Sequence, residues 1–322
     1  MAHTNPVKVK SITEAHRMLG LPSPSHPLIS VVEYSALQTL AANSSAGGLL
    51  FDFYFISLKK GVCDKLHYGQ HTYDFDDGVM IFVAPGQIVR SGGMGTEDNL
   101  SGWILLVQPD LLWNTSLANK VRNYEFFDYS ANEALFLSDK EETIVNGIVQ
   151  NIQQEYQANI DKFSKQIIVS HIENLLSYAE RFYNRQFITR EKANHQIIER
   201  LEKIVIDYFN SGDLVTKGLP EVQSISKELN LSVSYLSRLL KTLTGQSTQQ
   251  FIHDKLIEKA KQKLSTTELT VSEIAYELGF EHPQSFSKLF KTKTNVSPLD
   301  FRLSFNQKRN KELRSLLFNK QN

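Results

Sequence analysis

The sequence predicts an α+β chain with more than one domain: a β-barrel or sandwich, then helices, then an all-helical C-terminal region. Three observations carry this prediction. Short alternating or apolar runs extend from about residue 30 to residue 107, apolar residues at helical spacing follow, and the last third contains an internal repeat. At 322 residues the chain also exceeds one typical domain of roughly 100–200 residues.

The composition indicates a folded protein without disulfides. The single cysteine, Cys63, excludes an intramolecular disulfide framework and any metal site built from several cysteines. No apolar run reaches the ~18 residues that span a bilayer, and the N-terminal residues lack the apolar core of a signal peptide. We therefore expect a cytoplasmic protein with no membrane partner.

The formal charge is +0, but the two parts of the chain differ in sign. Residues 1–194 carry 16 Lys and Arg against 21 Asp and Glu, whereas residues 195–322 carry 19 against 14. This asymmetry predicts that the C-terminal part meets nucleic acid and the N-terminal part does not.

The N-terminal domain is expected over residues 1–184. Its β part covers about residues 28–110, where runs such as LLFDFYFISL and GWILLV are separated by turn residues. Its helices cover about residues 111–184, and the apolar spacing beyond Ser138 predicts an antiparallel helix pair. Polar residues 185–195 form the predicted linker, residues 196–305 the helical domain and residues 306–322 a basic tail.

The internal repeat aligns SISKELNLSVSYLSRLLK with EIAYELGFEHPQSFSKLFK. The offset is 49 up to the turn and 50 after it, so the only slip lies in a loop. The paired apolar positions are Ile225 with Ile274, Leu229 with Leu278, Leu236 with Phe286, Leu239 with Leu289 and Leu240 with Phe290.

Each copy has the pattern of a helix-turn-helix motif: a short helix, a tight turn and a longer helix. In the second copy Thr270 and Glu273 form a predicted capping box, Gly279 supplies a left-handed turn residue and Pro283 begins the next helix. In the first copy Ser232 is a predicted N-cap, and Asn230 replaces the glycine because Asn tolerates positive φ.

The outer face of each second helix carries short hydrogen-bonding side chains with cations behind them, which suits a helix that reads the major groove. The expected base-facing residues are Ser234, Ser237, Arg238, Pro283, Gln284, Ser287 and Lys288; the expected phosphate contacts are Ser232, Tyr235, Lys241, Lys291 and Lys293. The amphipathic segment STQQFIHDKLIEKAKQKL is a spacer helix that would set the two helices about 34 Å apart. The alternative is a helical bundle whose lysines are merely solvated.

Residues 196–305 resemble the DNA-binding domain of the AraC/XylS family of bacterial transcription regulators, departing at Asn230, Leu256 and Asn295. The resemblance implies a sequence-specific regulator of double-stranded DNA, more often an activator than a repressor. It also implies a cupin-like N-terminal sensor domain, a small-molecule effector, a contact with RNA polymerase and a homodimer, for which the helix pair is a candidate surface.

Two other functions remain open at this stage. His67 and His71 are candidate metal ligands of a cupin enzyme, but their HxxxH spacing and the missing third ligand argue against a metal site. We therefore expect no metal, no cofactor and no catalytic residue. The SGGMG segment at residues 91–95 lacks the lysine of a phosphate loop. A regulator without a ligand, controlled only by its abundance, is the other alternative. Aromatic residues of the β domain such as Phe53, Phe55 and Trp103 could line a small-molecule pocket, but packing in a core is the expected role of each.

Overall fold

The computed structural model describes residues 6–37, 48–60, 67–68, 71–72, 78–89, 101–129, 133–305 and 307. The chain divides into two compact units, Met1–Arg190 and Glu191–Asn322. The division falls inside the predicted linker, which consists of the end of one helix and the start of the next, with a break at Arg190. Cys63, the SGGMG segment and nearly all of the basic tail lie outside the described residues.

The N-terminal unit contains ten described strands in three sheets. They are β1 Val7–Val9, β2 Ile29–Glu33, β3 Leu49–Phe51, β4 Tyr54–Lys60, β5 His67–Tyr68, β6 His71–Thr72, β7 Val79–Val83, β8 Ile88–Val89, β9 Ser101–Val107 and β10 Leu135–Phe136. A five-stranded antiparallel sheet has the order β10-β7-β4-β9-β2, a three-stranded sheet has the order β1-β3-β8, and β5 pairs with β6. β1 and β10 extend the β structure beyond the predicted limits of about residues 28–110.

None of these three sheets closes on itself within the described residues, so the predicted closed barrel stays a prediction. Alternating apolar and polar residues identify a strand because successive side chains point to opposite faces. They carry no information about which strand pairs with which at the edges, and closure depends on that pairing.

The described part of the N-terminal unit also contains five α-helices: α1 Ile12–Met18, α2 Pro109–Leu112, α3 Leu117–Lys120, α4 Asp139–Gln157 and α5 Ser164–Thr189. α4 and α5 pack as an antiparallel pair, as predicted; Arg185 near the end of α5 binds Glu141 near the start of α4 at 2.7 Å. Gln186 bonds Phe136 N at 2.8 Å and Ala134 O at 3.1 Å, and so satisfies backbone groups of the edge strand β10.

The five-stranded sheet is apolar on both faces. On β9, Ile104 and Leu106 join the cluster that contains Ile12 and Ala15 of α1. Trp103, one residue earlier, donates its indole N–H to Asn146 of α4 at 2.7 Å. Consecutive residues thus alternate between the α1 side and the α4 side, and strands covered on both faces show the continuous apolar runs seen in the sequence.

The C-terminal unit is helical throughout its described residues. Its helices are α6 Glu191–Asn210, α7 Asp213–Lys217, α8 Val222–Leu229, α9 Val233–Thr244, α10 Thr248–Thr266, α11 Val271–Glu277, α12 Pro283–Thr294 and a last helix, α13, over residues 298–305. One hydrophobic core joins them, and the predicted stripe of Ile252, Leu256, Ala260 and Leu264 on α10 is buried in it. No described helix is long and apolar enough to cross a membrane.

Candidate nucleic-acid interface

The two copies of the repeat fold with the same backbone hydrogen bonds at the turn. In the first repeat, α8–turn–α9, Asn230 N donates to Lys227 O at 3.1 Å and Leu231 N to Ser226 O at 2.9 Å. In the second, α11–turn–α12, the residues 49 positions later do the same: Gly279 N donates to Tyr276 O at 2.9 Å and Phe280 N to Ala275 O at 3.0 Å. The predicted alignment is therefore a structural one.

The equivalence extends further than the sequence comparison predicted. Gly245 and Asn295, 50 positions apart, both end their helices in the left-handed conformation, at φ 74° and 63°. Ser247 and Ser297 then each accept a hydrogen bond from the backbone N–H three residues on, at 3.2 Å. The signal was present in the sequence, because a serine followed four residues later by phenylalanine recurs at this offset.

The two turns use their left-handed residues differently. Asn230 has φ 57°, a conformation that asparagine tolerates better than most residues, and its side chain is exposed. Gly279 has φ 79°, and a Cβ added there would lie 2.2 Å from Leu214 O of α7. The second turn therefore requires glycine for space as well as for its dihedral angle.

The core side chains fix the orientation of both second helices. Leu236 and Leu240 of α9, and Phe286 and Phe290 of α12, are each 0% exposed. Because the helix repeats every 3.6 residues, the positions on the side of each helix opposite these anchors form its outer face. Both outer faces belong to the same unit and follow equivalent turns.

On α9 the predicted residues lie on or near this outer face. Ser232 is the N-cap, as predicted, and accepts a hydrogen bond from Tyr235 N at 3.1 Å. Ser234, Ser237 and Arg238 are half-buried; Ser237 Oγ lies 3.4 Å from Thr248 Oγ1 at the start of α10. Lys241 is exposed in the last turn.

Tyr235 is buried beside this surface, so its assignment as a phosphate contact stays a prediction that the burial of the ring does not favour. The side chain is 1% exposed and packs in the interior, and its backbone N–H already donates to Ser232. The equivalent residue of α12, Ser285, is exposed. Helical periodicity places position 235 at the margin of the buried face, and the size of the tyrosine ring carries it inside.

On α12 the predicted residues are more exposed. Pro283 is the first residue of the helix, as predicted, and is half-buried, as is Ser287. Gln284, Lys288 and Lys291 are exposed. His282, the residue before the helix, makes no side-chain cap, unlike Ser232 at the same place in the first repeat.

Lys293 is engaged inside the C-terminal unit. Its ammonium group lies 2.7 Å from Asp254 Oδ1 of α10, and Gln246 Nε2 donates to the other oxygen of that carboxylate at 2.9 Å. The ion pair competes with the predicted phosphate contact, because the same ammonium group would have to leave Asp254. The neighbouring His253 has its pKa lowered by burial and further by the charge of Lys293.

Three lysines of the spacer helix α10 are also committed within the unit. Lys255 binds Glu202 of α6 at 2.6 Å, and this hydrogen bond raises the pKa of Lys255. Lys259 donates to Phe209 O at 2.6 Å, and Lys263 pairs with Glu277 of α11. These lysines therefore join α10 to other helices of the unit.

The histidines proposed for a metal occupy different register positions in the β5–β6 hairpin. His67 pairs with Thr72, and Tyr68 pairs with His71. Among the described residues, no group of three or more His, Cys, Asp or Glu side chains is placed to hold a metal ion.

Comparison with known proteins supports the DNA-binding interpretation of the C-terminal unit. Residues 225–304 match a family model described as a helix-turn-helix domain. The raffinose operon transcriptional regulatory protein RafR of Pediococcus pentosaceus is 39% identical over 83 residues, 26% of this chain and 30% of the relative. The arabinose operon regulatory protein of Escherichia coli K12 is 33% identical over 90 residues, 28% of this chain and 31% of the relative. The C-terminal region is an AraC-type helix-turn-helix domain.

The AraC-type domain and the regulators named above are not enzymes. A further relative, named histidine kinase P4, from Formosa agariphila, is 27% identical over 141 residues, 42% of this chain but 10% of the relative. Among solved structures, the C-terminal domain of the response regulator yesN from Fusobacterium nucleatum is 31% identical and covers 31% of this chain and 95% of its own, with a TM-score of 0.27. The chain thus spans about a tenth to three tenths of the first curated relatives it matches.

Proposed function

We propose that this protein is a DNA-binding transcription regulator that reads two neighbouring major-groove segments with α9 and α12. The observation that carries the proposal is the shared hydrogen-bonding pattern of the two turns, which presents two equivalent helices with polar outer faces. A single helix-turn-helix motif would serve equally well as a bundle surface. Two equivalent copies joined by one rigid helix suit a duplex whose major groove returns to the same side every ~34 Å.

Base reading is assigned to Ser234, Ser237, Arg238, Pro283, Gln284, Ser287 and Lys288, which follow the start and the outer face of the two helices. Arg binds guanine through two hydrogen bonds and Gln binds adenine in the same way. Phosphate contacts are assigned to Ser232, Lys241 and Lys291. Lys293 joins them only if DNA draws it away from Asp254, which lies 2.7 Å from it.

The N-terminal unit, expected over residues 1–184, is proposed as a cupin-like sensor domain that responds to a small-molecule effector. Activation is the proposed mode, in keeping with the name of the transcriptional activator RhaS of Escherichia coli, which is 35% identical over 79 residues. The α4–α5 pair is the proposed homodimer surface, and a contact with RNA polymerase completes the proposal. Sedimentation equilibrium tests the dimer.

The test of the central proposal maps bound sites genome-wide and then measures affinity for one of them at two salt concentrations. Arg238→Ala is expected to weaken specific binding by about 1–3 kcal/mol and to relax preference at one base. Lys291→Ala is expected to weaken binding to every DNA sequence by a similar factor. It is also expected to reduce by about 1 the slope of log affinity against log salt concentration. Lys10→Ala, an exposed change in the N-terminal unit outside the proposed α4–α5 dimer surface, is the matched control.

Equal losses on every sequence for Arg238→Ala and Lys291→Ala would remove the base-reading assignment. A wild-type protein that binds all duplexes alike, with an affinity set by salt alone, would remove the proposed function.

A further inference from the structure

A small cavity lies in the N-terminal unit between α1 and the sheets. Its volume is about 60 Å³, and its lining includes Ala15 and Met18 of α1, the C-cap residue Leu19, and Phe51 and Phe55. The two phenylalanine rings stack with their centroids 5.6 Å apart and form part of its wall. Of the predicted pocket aromatics, Phe55 lines this space, whereas Phe53 is 0% exposed in the core and Trp103 bonds α4.

Among the described residues, the side chains that line the cavity carry almost no hydrogen-bonding groups. Of the eleven side chains around the cavity, ten are aliphatic, phenylalanine or methionine side chains, and the other is Tyr34. A carbohydrate in such a space would bury several hydroxyl groups without partners, at about 1–3 kcal/mol each. An apolar group has no such cost and restores the contacts that the empty space lacks.

The size of the cavity limits the part of a ligand that it can hold. Small-molecule sites usually measure about 300–1,000 Å³, whereas one water occupies about 30 Å³ of liquid. The cavity as it stands therefore holds a group of a few carbon atoms, such as the end of an alkyl chain, and a larger ligand needs more room.

That room is available at the C-terminal end of α1. Met18 is 37% exposed at the margin of the cavity, and its unbranched side chain turns aside easily. The middle of α1 is anchored, since His16 Nδ1 lies 2.6 Å from Pro22 O and Nε2 lies 2.9 Å from Ser30 Oγ. Because Pro22 O can only accept, Nδ1 carries the proton and Nε2 accepts from the serine.

We propose that this cavity is the inner end of a ligand site that takes an alkyl or aryl group and excludes sugars. The inference rests on the proposed sensor function of the N-terminal unit and names the class of its effector. Movement of Met18 and Leu19, with His16 as the fixed point, admits the rest of the ligand.

The test uses xenon, which fits the cavity as it stands, and toluene, which requires Met18 to move. Wild-type protein is expected to bind both, by xenon NMR and by a dose-dependent rise in melting temperature with toluene. Ala15→Leu fills the cavity and is expected to lower the affinity for xenon and for toluene at least tenfold. Ala158→Leu, the same change at an exposed position, is expected to leave both affinities unchanged. Met18→Ala is expected to tighten toluene binding several-fold.

The proposal is overturned if neither probe binds wild-type protein or Met18→Ala, if Ala15→Leu binds them as wild type does, or if arabinose or raffinose competes with toluene. Met18→Ala decides the matter should Ala15→Leu fail to fold, since position 18 is exposed. DNA binding is measured on the same samples. If the protein binds toluene but no specific DNA, the ligand site stands and the proposed function is wrong. If it binds specific DNA but not toluene, only the ligand site is wrong.

Discussion

The two repeats of the C-terminal unit reach one backbone geometry with exchanged residues. The first has asparagine at the turn and glycine at the end of its second helix, whereas the second has glycine at the turn and asparagine at the end. All four residues have positive φ, between 57° and 79°. The backbone pattern therefore tolerates either residue type, and the surroundings of each position decide which one is required.

The largest expected effect separates crowding from dihedral preference. Gly279→Asn keeps a residue that tolerates positive φ but places a Cβ 2.2 Å from Leu214 O, so α7 has to move. We expect a loss of at least about 2 kcal/mol in the free energy of unfolding, as for overpacking in a core. Chemical denaturation, with hydrogen exchange of the α11 amides to localise the loss, measures it.

Gly245→Asn is the matched control, because nothing lies within 4 Å of the Cβ it would add. The equivalent residue, Asn295, already occupies this conformation. A change of only a few tenths of a kcal/mol is expected there. Similar losses for the two variants would show that dihedral preference, and not contact with α7, makes Gly279 necessary.

A second difference between the repeats concerns a buried hydroxyl. Ser226 of α8 is 2% exposed, and its Oγ has no hydrogen-bond partner among the described residues; the equivalent residue of α11 is Ala275, at 0%. Ser226→Ala is therefore expected to raise the free energy of unfolding by about 1 kcal/mol. Ser224→Ala, at an exposed position of the same helix, is the control for helix propensity alone. If it raises the free energy of unfolding as much as Ser226→Ala does, the buried hydroxyl does not destabilise the fold.

A third comparison sets two lysines of α12 against each other. Lys291 is exposed, whereas Lys293 is bound to Asp254. Lys291→Met is expected to reduce the salt slope of DNA binding by about 1, and Lys293→Met to leave it unchanged. Lys293→Met is also expected to raise the pKa of His253, whose pKa the lysine charge lowers, and NMR titration checks this.

A fall in slope with Lys293→Met equal to that with Lys291→Met would return Lys293 to the phosphate contacts. An unchanged pKa of His253 would show that the lysine does not rest beside Asp254 in solution.

The sequence predicted the features that depend on neighbours along one helix. The N-cap Ser232, the capping box of Thr270 and Glu273, the turn at Gly279 and the start of α12 at Pro283 are all confirmed. Each is decided within a few residues of the chain, by a side chain that reaches its own backbone or by a permitted φ.

Features that depend on another helix were not predictable in the same way. Helical periodicity places Lys293 near the outer face, but whether Asp254 of α10 reaches it depends on how two helices cross. The burial of Tyr235 was not predictable for a related reason, because burial at the margin of a helix face depends on the space that other helices leave. The β strands show the same limit, because alternation predicts each strand and leaves the closure of the sheet undecided.

The smallest expected effect is a pH dependence confined to the second repeat. Glu273 accepts hydrogen bonds from Thr270 N at 2.7 Å and Thr270 Oγ1 at 2.8 Å, and the backbone hydrogen bond above all lowers its pKa. The first repeat has Glu221 as its N-cap, without a side-chain cap, and Ser224 at the position of Glu273. A group whose pKa is lower in the folded state stabilises it fully above its ordinary pKa, and this stabilisation is lost as the pH falls through the folded value.

Urea denaturation between pH 3 and pH 6 is therefore expected to show a loss of stability that Glu273→Gln reduces. Glutamine keeps the capping geometry but does not titrate, so the variant separates the hydrogen bonds from the charge. Identical pH profiles for the two proteins would mean that the carboxylate is not held in the cap in solution. The first helix of the second repeat would then keep only the hydrogen bond from Glu273 N to Thr270 Oγ1, at 3.2 Å, as its side-chain cap.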